Sequence, residues 1–435
     1  MKKIAVTTLG CKVNQYESAS FISSLAEAGC EMVPFSSRAD IYIINTCAVT
    51  GRAGQQSRQL VRRALKTNPG ARLIVTGCYA QMEPQQILDI TDSRLCIVGN
   101  GNKHLLVAEV MNENASDLTM LMGNINRKRE ITPMPVRRFS GRTRAFLRIQ
   151  DGCNNFCSYC IVPYTRGRSR SLPAGDVLCQ AAVFAAEGYR EIVITGINVG
   201  KYGADLKEKE NICSLLARLC RDFPAIRFRL SSIEPTEIDD TLLDLIATRA
   251  NFMPHLHIPL QSGDDNILKK MNRRYTVEQY ALVLERIREA LPEAAVGCDI
   301  LCGFPGEDEE AHENTYRLIR DLPVTYLHVF PYSRRAGTLA ASMKNQLPNQ
   351  MKEERVGRLR ALDKIKRESF YARFIGSRQQ VLVEKREKNT QYLQGFSENY
   401  IPVRCDSSGH QAGDIIAVHI DGLADGMLFG SASKS

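Results

Sequence analysis

Cys153, Cys157 and Cys160 form a C-x3-C-x2-C group in the segment DGCNNFCSYCIVPYTRGRSRS, directly after the strand-like run AFLRIQ. Three thiolates on one tight loop can hold three irons of a cubane and leave the fourth iron open to a small molecule. A fully ligated electron-transfer cluster needs a fourth cysteine nearby, and none follows before Cys179, which falls in a helical stretch. A structural zinc site also takes four protein ligands, usually as paired C-x2-C or Cys/His units. A second set, Cys11, Cys47 and Cys78, is scattered in sequence, but each cysteine follows a short apolar strand-like run. One cysteine in such a place reads as a small buried side chain. Three at equivalent strand ends read as a metal site, again with no evident fourth thiolate.

The elements that must position these thiols alternate along the chain. Residues 1–112 carry the strand-like runs Ile4–Thr8, Ile41–Asn45, Arg72–Thr76 and Cys96–Gly99, with helical patterns over Tyr16–Ala28 and Gln55–Lys66 between the first three. Such doubly apolar strands separated by helices predict a parallel α/β domain. In a parallel sheet the carboxyl ends of the strands share one edge, so the three distant cysteines can converge. Gly10, Asn45 with Thr46, and Gly77 stand beside them and suit tight turns or caps. Residues 113–141 lose periodicity and read as an interdomain connection. Over 142–370 the strand runs AFLRIQ, EIVIT, IRFRLSS, HLHIP, AVGCDI and YLHVF alternate with helices, which predicts a partial (β/α)6 barrel with its chemistry at the carboxyl ends of the strands. A charged helix over Met351–Phe374 leads into residues 371–435, where QQVLVE, IPVRC and DIIAVHI predict a small all-β module.

The whole is thus an α/β chain of 435 residues, long enough for more than one core. It has no apolar run long enough to span a membrane and its first residues enter a strand, so a soluble, cytoplasmic protein with no membrane partner is expected. Fourteen cysteines in such a protein argue for metal or catalysis over disulfides. The net charge of +9 favours a polyanionic partner. Basic residues crowd into 127–148 and into Arg166, Arg168 and Arg170, which are candidate phosphate contacts.

The cluster loop and the six strand-helix units resemble the radical S-adenosylmethionine (SAM) superfamily. That resemblance implies a 4Fe-4S cluster on Cys153, Cys157 and Cys160 whose open iron chelates SAM, with reductive cleavage to a 5'-deoxyadenosyl radical. Gly196 and Asn198, Ser232 and Glu234, and Gln261 and Ser262, all at other strand ends, are the expected SAM contacts. The order LGCKVNQYES, NTCAVT, TGCYAQ and then the cluster loop is similar to the methylthiotransferase family along the whole chain, with the terminal β segment resembling its RNA-binding TRAM domain. Within that family the wording looks most like the bacterial enzymes acting on N6-threonylcarbamoyladenosine at position 37 of tRNA. The isopentenyladenosine branch usually begins GCQMN and the ribosomal-protein branch GCPKN, and neither fits Lys12 and Val13.

The resemblance implies a second 4Fe-4S cluster on Cys11, Cys47 and Cys78 that carries a sulfide, which one SAM methylates while a second SAM supplies the radical for replacement at adenine C2. No catalytic residue is expected beyond the clusters. The partners implied are a tRNA anticodon loop, whose unpaired base can be splayed out, and an electron donor such as flavodoxin or ferredoxin; the sulfur donor stays unnamed. Tyr392, Phe396 and Tyr400 are candidate stacking residues in the terminal module. Rival readings are the same chemistry on isopentenyladenosine tRNA or a ribosomal-protein aspartate, and a non-catalytic metal-containing RNA-binding protein. The remaining cysteines are taken as structural, and His255 and His257, on one face of a strand, as packing residues.

Overall fold

In the computed structural model, which describes residues 1–114, 116–388, 390–406 and 409–432, the first sheet contains β1 (Lys3–Thr8), β2 (Glu31–Met32), β3 (Ile41–Thr46), β4 (Arg72–Gly77), β5 (Leu95–Val98) and β6 (Leu118–Leu121). All neighbours are parallel, in the order β2-β1-β3-β4-β5-β6. Every residue of β3, β4 and β5 is buried, which is what apolar strands covered on both faces require. Helix α1 (Lys12–Glu27) follows β1, and α2 (Gly51–Thr67) follows β3, its first turn closed by the Thr50 side chain accepting from the Ala53 N–H. The strand order reverses between β1 and β3, so the carboxyl-end crevice opens beside the residues that follow those two strands.

The stretch read as a connection does more than connect. It supplies β6, paired with β5 at the sheet edge, and its Phe139 packs between the first domain and the next, with Tyr16, Phe146 and Phe184 ring centroids at 6.4, 5.4 and 5.8 Å. Its polar composition hid this, because only scattered side chains (Ile131, Met134, Val136 and Phe139) enter the core.

The second domain has six parallel strands: β7 (Arg144–Arg148), β10 (Glu191–Thr195), β11 (Arg227–Leu230), β12 (His255–His257), β13 (Ala295–Cys302) and β14 (Tyr326–Pro331). They pair as β7-β10-β11 and β12-β13-β14, and the two halves are joined by single bridges Phe228–Phe252 and Ser232–His257, giving an open barrel of six strands. A two-residue ribbon, β8 (Gln150–Asp151) with β9 (Arg170–Ser171), encloses the base of the cysteine loop. Helix Asn349–Ala372 packs along β14 and leads into the last domain. There β15 (Arg378–Arg386), β16 (Tyr392–Phe396), β17 (Pro402–Asp406), β18 (Ile415–Ala424) and β19 (Met427–Ala432) close a barrel in the order β15-β16-β17-β19-β18. Alternate residues such as Val381 and Val383, Val403 and Cys405, and Ile416, Val418 and Ile420 fill it. No helix among the described residues is long and apolar enough to cross a membrane.

Candidate active site

The first triad is brought together. Cys11 is the residue before α1, Cys47 follows β3, and Cys78 opens the short helix after β4, all on the carboxyl edge of the sheet. Gly10 and Gly77 have φ of +95° and +98°, which lets the chain turn back over that edge. A Cβ on Gly10 would stand 2.8 Å from Cys47 Sγ, so the backbone before Cys11 lies directly on the second thiol. Burial pushes the Cys47 thiol up to about 11, and the neighbouring Cys78 and Cys11 add to it; burial also raises Cys11, again with Cys78 adding. Asn100 Nδ2 lies 3.7 Å from Cys78 Sγ and donates at 2.7 Å to the Thr165 carbonyl, tying this triad to the chain just beyond Cys160.

Frame residues hold this edge from beneath. Asn14 donates to the carbonyls of Leu9 and Thr46 at 2.7 and 3.0 Å, and Asn45 donates to Asn14 O at 3.0 Å. Glu17, one turn into α1, receives Arg166 Nη1 at 3.1 Å and the Lys103 ammonium. Arg166 also meets Asp151 at 2.8 Å, immediately before the second cysteine loop. Burial works to raise the Glu17 carboxyl, yet Arg166 and Lys103 outweigh it and hold it down at about 2. Arg166 and Arg170 are buried, at 1% and 4% exposure, so they are not phosphate contacts. Arg148 is also buried, stacked 5.3 Å over the Tyr16 ring. Arg168 alone of the second group is exposed, over the Phe156 ring. Charge runs read as surface in a sequence; here the counter-charges come from elements far away in the chain.

The second triad lies on one loop. Gly152 (φ +73°) admits the Arg168 carbonyl where a Cβ would meet it at 2.0 Å, and Phe156 turns the chain with φ +48°. Ser158 fastens the loop to the barrel, its N–H donating to Met271 O at 2.9 Å and its hydroxyl to Lys270 O at 2.8 Å. Asn155 N–H and Arg273 Nη1 point at the sulfurs of Cys153 and Cys157, each at 3.4 Å. Burial raises Cys153 to about 11 and Cys160 to about 12, so binding metal must displace thiol protons.

Neither triad has the close spacing that a single ion requires. Four thiolates around zinc stand roughly 3.8 Å apart for Zn–S near 2.3 Å. Among the described residues, the one group of three metal-ligating side chains with all donor atoms within 4.8 Å is His257, Asp299 and His328; neither cysteine triad closes that far. A cubane spreads its thiolates more widely, and N–H groups aimed at sulfur are what such a cluster uses to set its potential.

The six expected SAM contacts all lie beyond the carboxyl ends of barrel strands, in three different situations. Glu234 is ion-paired with Arg273, the same guanidinium that reaches Cys157, and so stands at the loop. Asn198 is buried against Glu237, and Ser232 lines the barrel cavity. The other three have local explanations. Gly196 leaves room for Gln150, whose Oε1 would lie 2.9 Å from a Cβ there; Gln261 bridges to Ile300 with φ +70°; and Ser262 Oγ accepts from Asp264 N–H at 3.3 Å.

A cavity of about 850 Å³ fills the open barrel and is bounded by Gly10, Cys11 and Lys12 on one side and by Phe396, Asn399 and Tyr400 of the terminal barrel on another. The register that sets Asp299 opposite His328 gathers a network on its wall. Asp299 Oδ1 takes His257 Nε2 at 2.9 Å and lies 3.3 Å from His328 Nδ1, while Tyr326 Oη joins His257 to His255. Burial opposes the Asp299 charge, but these two imidazoles hold its carboxyl low. Sequence periodicity placed His255 and His257 on one face; their partners were hidden because they come from other strands. Phe396 and Tyr400 stack at 4.6 Å, with Arg144 over both, so they belong to the cavity wall and domain contact, whereas Tyr392 lies under Arg404.

Residues 3–99 match the uncharacterized protein family UPF0004 and residues 147–319 the radical SAM superfamily. The fold is similar to the radical SAM methyltransferase TsrM of Kitasatospora setae, with a TM-score of 0.56 at 16% identity over 78% of this chain and 77% of that one. Fold and cysteine loop define a radical SAM enzyme, which uses a 4Fe-4S cluster and SAM. Curated relatives include the threonylcarbamoyladenosine tRNA methylthiotransferases MtaB of Bacillus subtilis, 39% identical over 97% of this chain and 94% of the relative, and of Aquifex aeolicus, 36% identical over 92% and 96%. This chain belongs to the family of threonylcarbamoyladenosine tRNA methylthiotransferases.

Proposed function

We propose that this enzyme converts N6-threonylcarbamoyladenosine at position 37 of tRNA to its 2-methylthio derivative, with one cluster held by Cys153, Cys157 and Cys160 and a second by Cys11, Cys47 and Cys78. The observation that carries the two-cluster reading is the convergence of three thiols from three strand ends onto one edge, beside a cavity shared with the barrel. Bound together, the clusters and SAM supply the radical, sulfur and methyl group for an aromatic C–H position that acid-base catalysis cannot open. The chain's own part is placement. Asn198, Ser232 and Glu234 hold SAM at the barrel strand ends, with Gly196, Gln261 and Ser262 shaping the backbone there. The Glu17–Arg166–Asp151 network fixes the two cysteine sets relative to each other. The cavity takes the splayed base, and the terminal barrel positions the tRNA.

This reading divides the chain at 1–112, 113–141, 142–370 and 371–435, with β6 extending the first domain's sheet. It places the enzyme in the cytoplasm with a flavodoxin- or ferredoxin-type electron donor. The test is anaerobic reconstitution followed by assay on tRNA carrying the threonylcarbamoyl group. About eight irons per chain are expected from two four-iron clusters. Cys157→Ala should abolish SAM cleavage, and Cys47→Ala should retain some cleavage but give no methylthio product. Equal loss of both activities in the Cys47 variant counts against two roles.

A further inference from the structure

Five cations line the barrel cavity, Lys12, Arg142, Arg144, Arg229 and Arg367, against one carboxylate, Asp299. Three of them are already neutralised: Arg144 by Glu384 at 2.6 Å, Arg229 by Glu191 at 2.9 Å and Arg367 by Asp363 at 2.8 Å. Asp299 is occupied by His257 and His328. Among the described residues, no carboxylate pairs with Lys12 or with Arg142, whose guanidinium lies 5.3 Å over the Phe146 ring. Lys12 is open to the cavity at the mouth it shares with Cys11. One turn along α1, Gln15 also faces the cavity, and its buried Oε1 accepts no hydrogen bond.

A cation that lines a cavity and has no carboxylate partner within the protein is free to receive an anion from outside. A plain adenine brings no charge, and an isopentenyl group brings only hydrocarbon. A threonylcarbamoyl group brings an α-carboxylate and a hydroxyl. We propose that Lys12, assisted by Arg142, is the seat of the threonylcarbamoyl carboxylate, and that Gln15 Oε1 accepts a hydrogen bond from the same substituent. This rests on the substrate assignment made above. Because Lys12 directly follows Cys11, holding the carboxylate there brings the base against the edge where Cys11, Cys47 and Cys78 meet. Lys12, with Val13, is also where this sequence departs from the GCQMN and GCPKN branches.

The test is binding of the cluster-loaded enzyme, without oxygen, to two anticodon stem-loops that differ only in carrying threonylcarbamoyladenosine or adenosine at position 37. Wild type should prefer the modified loop by roughly 10- to 100-fold, the worth of a charge-assisted contact in an enclosed site. Lys12→Met should erase that preference while leaving the plain loop within about twofold of wild type, and Lys12→Arg should keep much of it. Equal weakening for both loops marks a contact to RNA phosphate and overturns the proposal, as does an unchanged preference in Lys12→Met. Iron content and SAM cleavage report whether the variant is loaded. Should Lys12→Met lose iron, wild type with a loop whose carboxylate is methyl-esterified decides: it should bind like the plain loop, and binding as tight as the free acid refutes the seat. Wild-type enzyme that forms no methylthio product on the modified loop refutes the substrate assignment instead.

Discussion

Glu17→Gln leaves two buried cations, Arg166 and Lys103, facing a neutral amide. Burial alone would raise the Glu17 carboxyl, yet Arg166 and Lys103 hold it well below a free glutamate, so both cations depend on its charge. Breaking a buried pair on one side costs ~3 to 5 kcal/mol. Arg166 keeps Asp151 at 2.8 Å, so the lower figure applies. In sign, the folded carboxyl titrates below the unfolded one. The stabilisation is therefore complete above about pH 4.5 and is lost as pH falls toward about 2. Urea unfolding of a chain with several domains is not one transition, so amide hydrogen exchange of α1 and of the helix Val162–Arg166 is the matching assay. Both should exchange faster in the variant, by the equivalent of about 3 kcal/mol. The double variant Glu17→Gln/Lys103→Met should recover part of the loss, since one stranded cation is gone. Protection within about 0.5 kcal/mol of wild type refutes the reasoning.

Gly10→Ala forces a Cβ at φ +95° to within 2.8 Å of Cys47 Sγ, so iron should fall from about eight toward about four per chain. Gly29→Ala, at φ +79° with nothing within 4 Å, should keep its iron and cost only about 1 kcal/mol in denaturation. Arg273→Ala removes the brace on both Glu234 and Cys157 and should slow SAM cleavage roughly 10- to 100-fold. Arg273→Lys should restore little of it, because an ammonium cannot hold a carboxylate in two places, and full activity in that variant tells against the brace.

The strands were legible because residues such as Ile41–Thr46 and Arg72–Gly77 are apolar on both faces, and the cysteines after them inherited a common edge from that pattern. The six barrel strands were legible as short runs, apolar or alternating, between helical stretches. Arg166 and Arg170 were not, since burial of a guanidinium depends on Glu17 and Asp151 arriving from elsewhere, and no local pattern encodes that. Asp299 and His328 escaped notice because only strand register sets them opposite each other. Lys12 was visible as a family mark, but its lack of a counter-ion is a property of the assembled cavity.

A single guanidinium, that of Arg166, holds Glu17 and Asn14 in the first domain and Asp151 beneath the barrel's cysteine loop. The spacing between the two cysteine sets is therefore gauged largely by one side chain, with the Asn100–Thr165 bond beside it, as a caliper is set by its main screw. The halves cannot be exchanged freely with those of distant cousins: a chimera inheriting the glutamate without its arginine, or the reverse, would carry a stray charge at its seam and a mis-set gap. Any recombination at this boundary must move Glu17, Lys103, Asp151 and Arg166 as one unit.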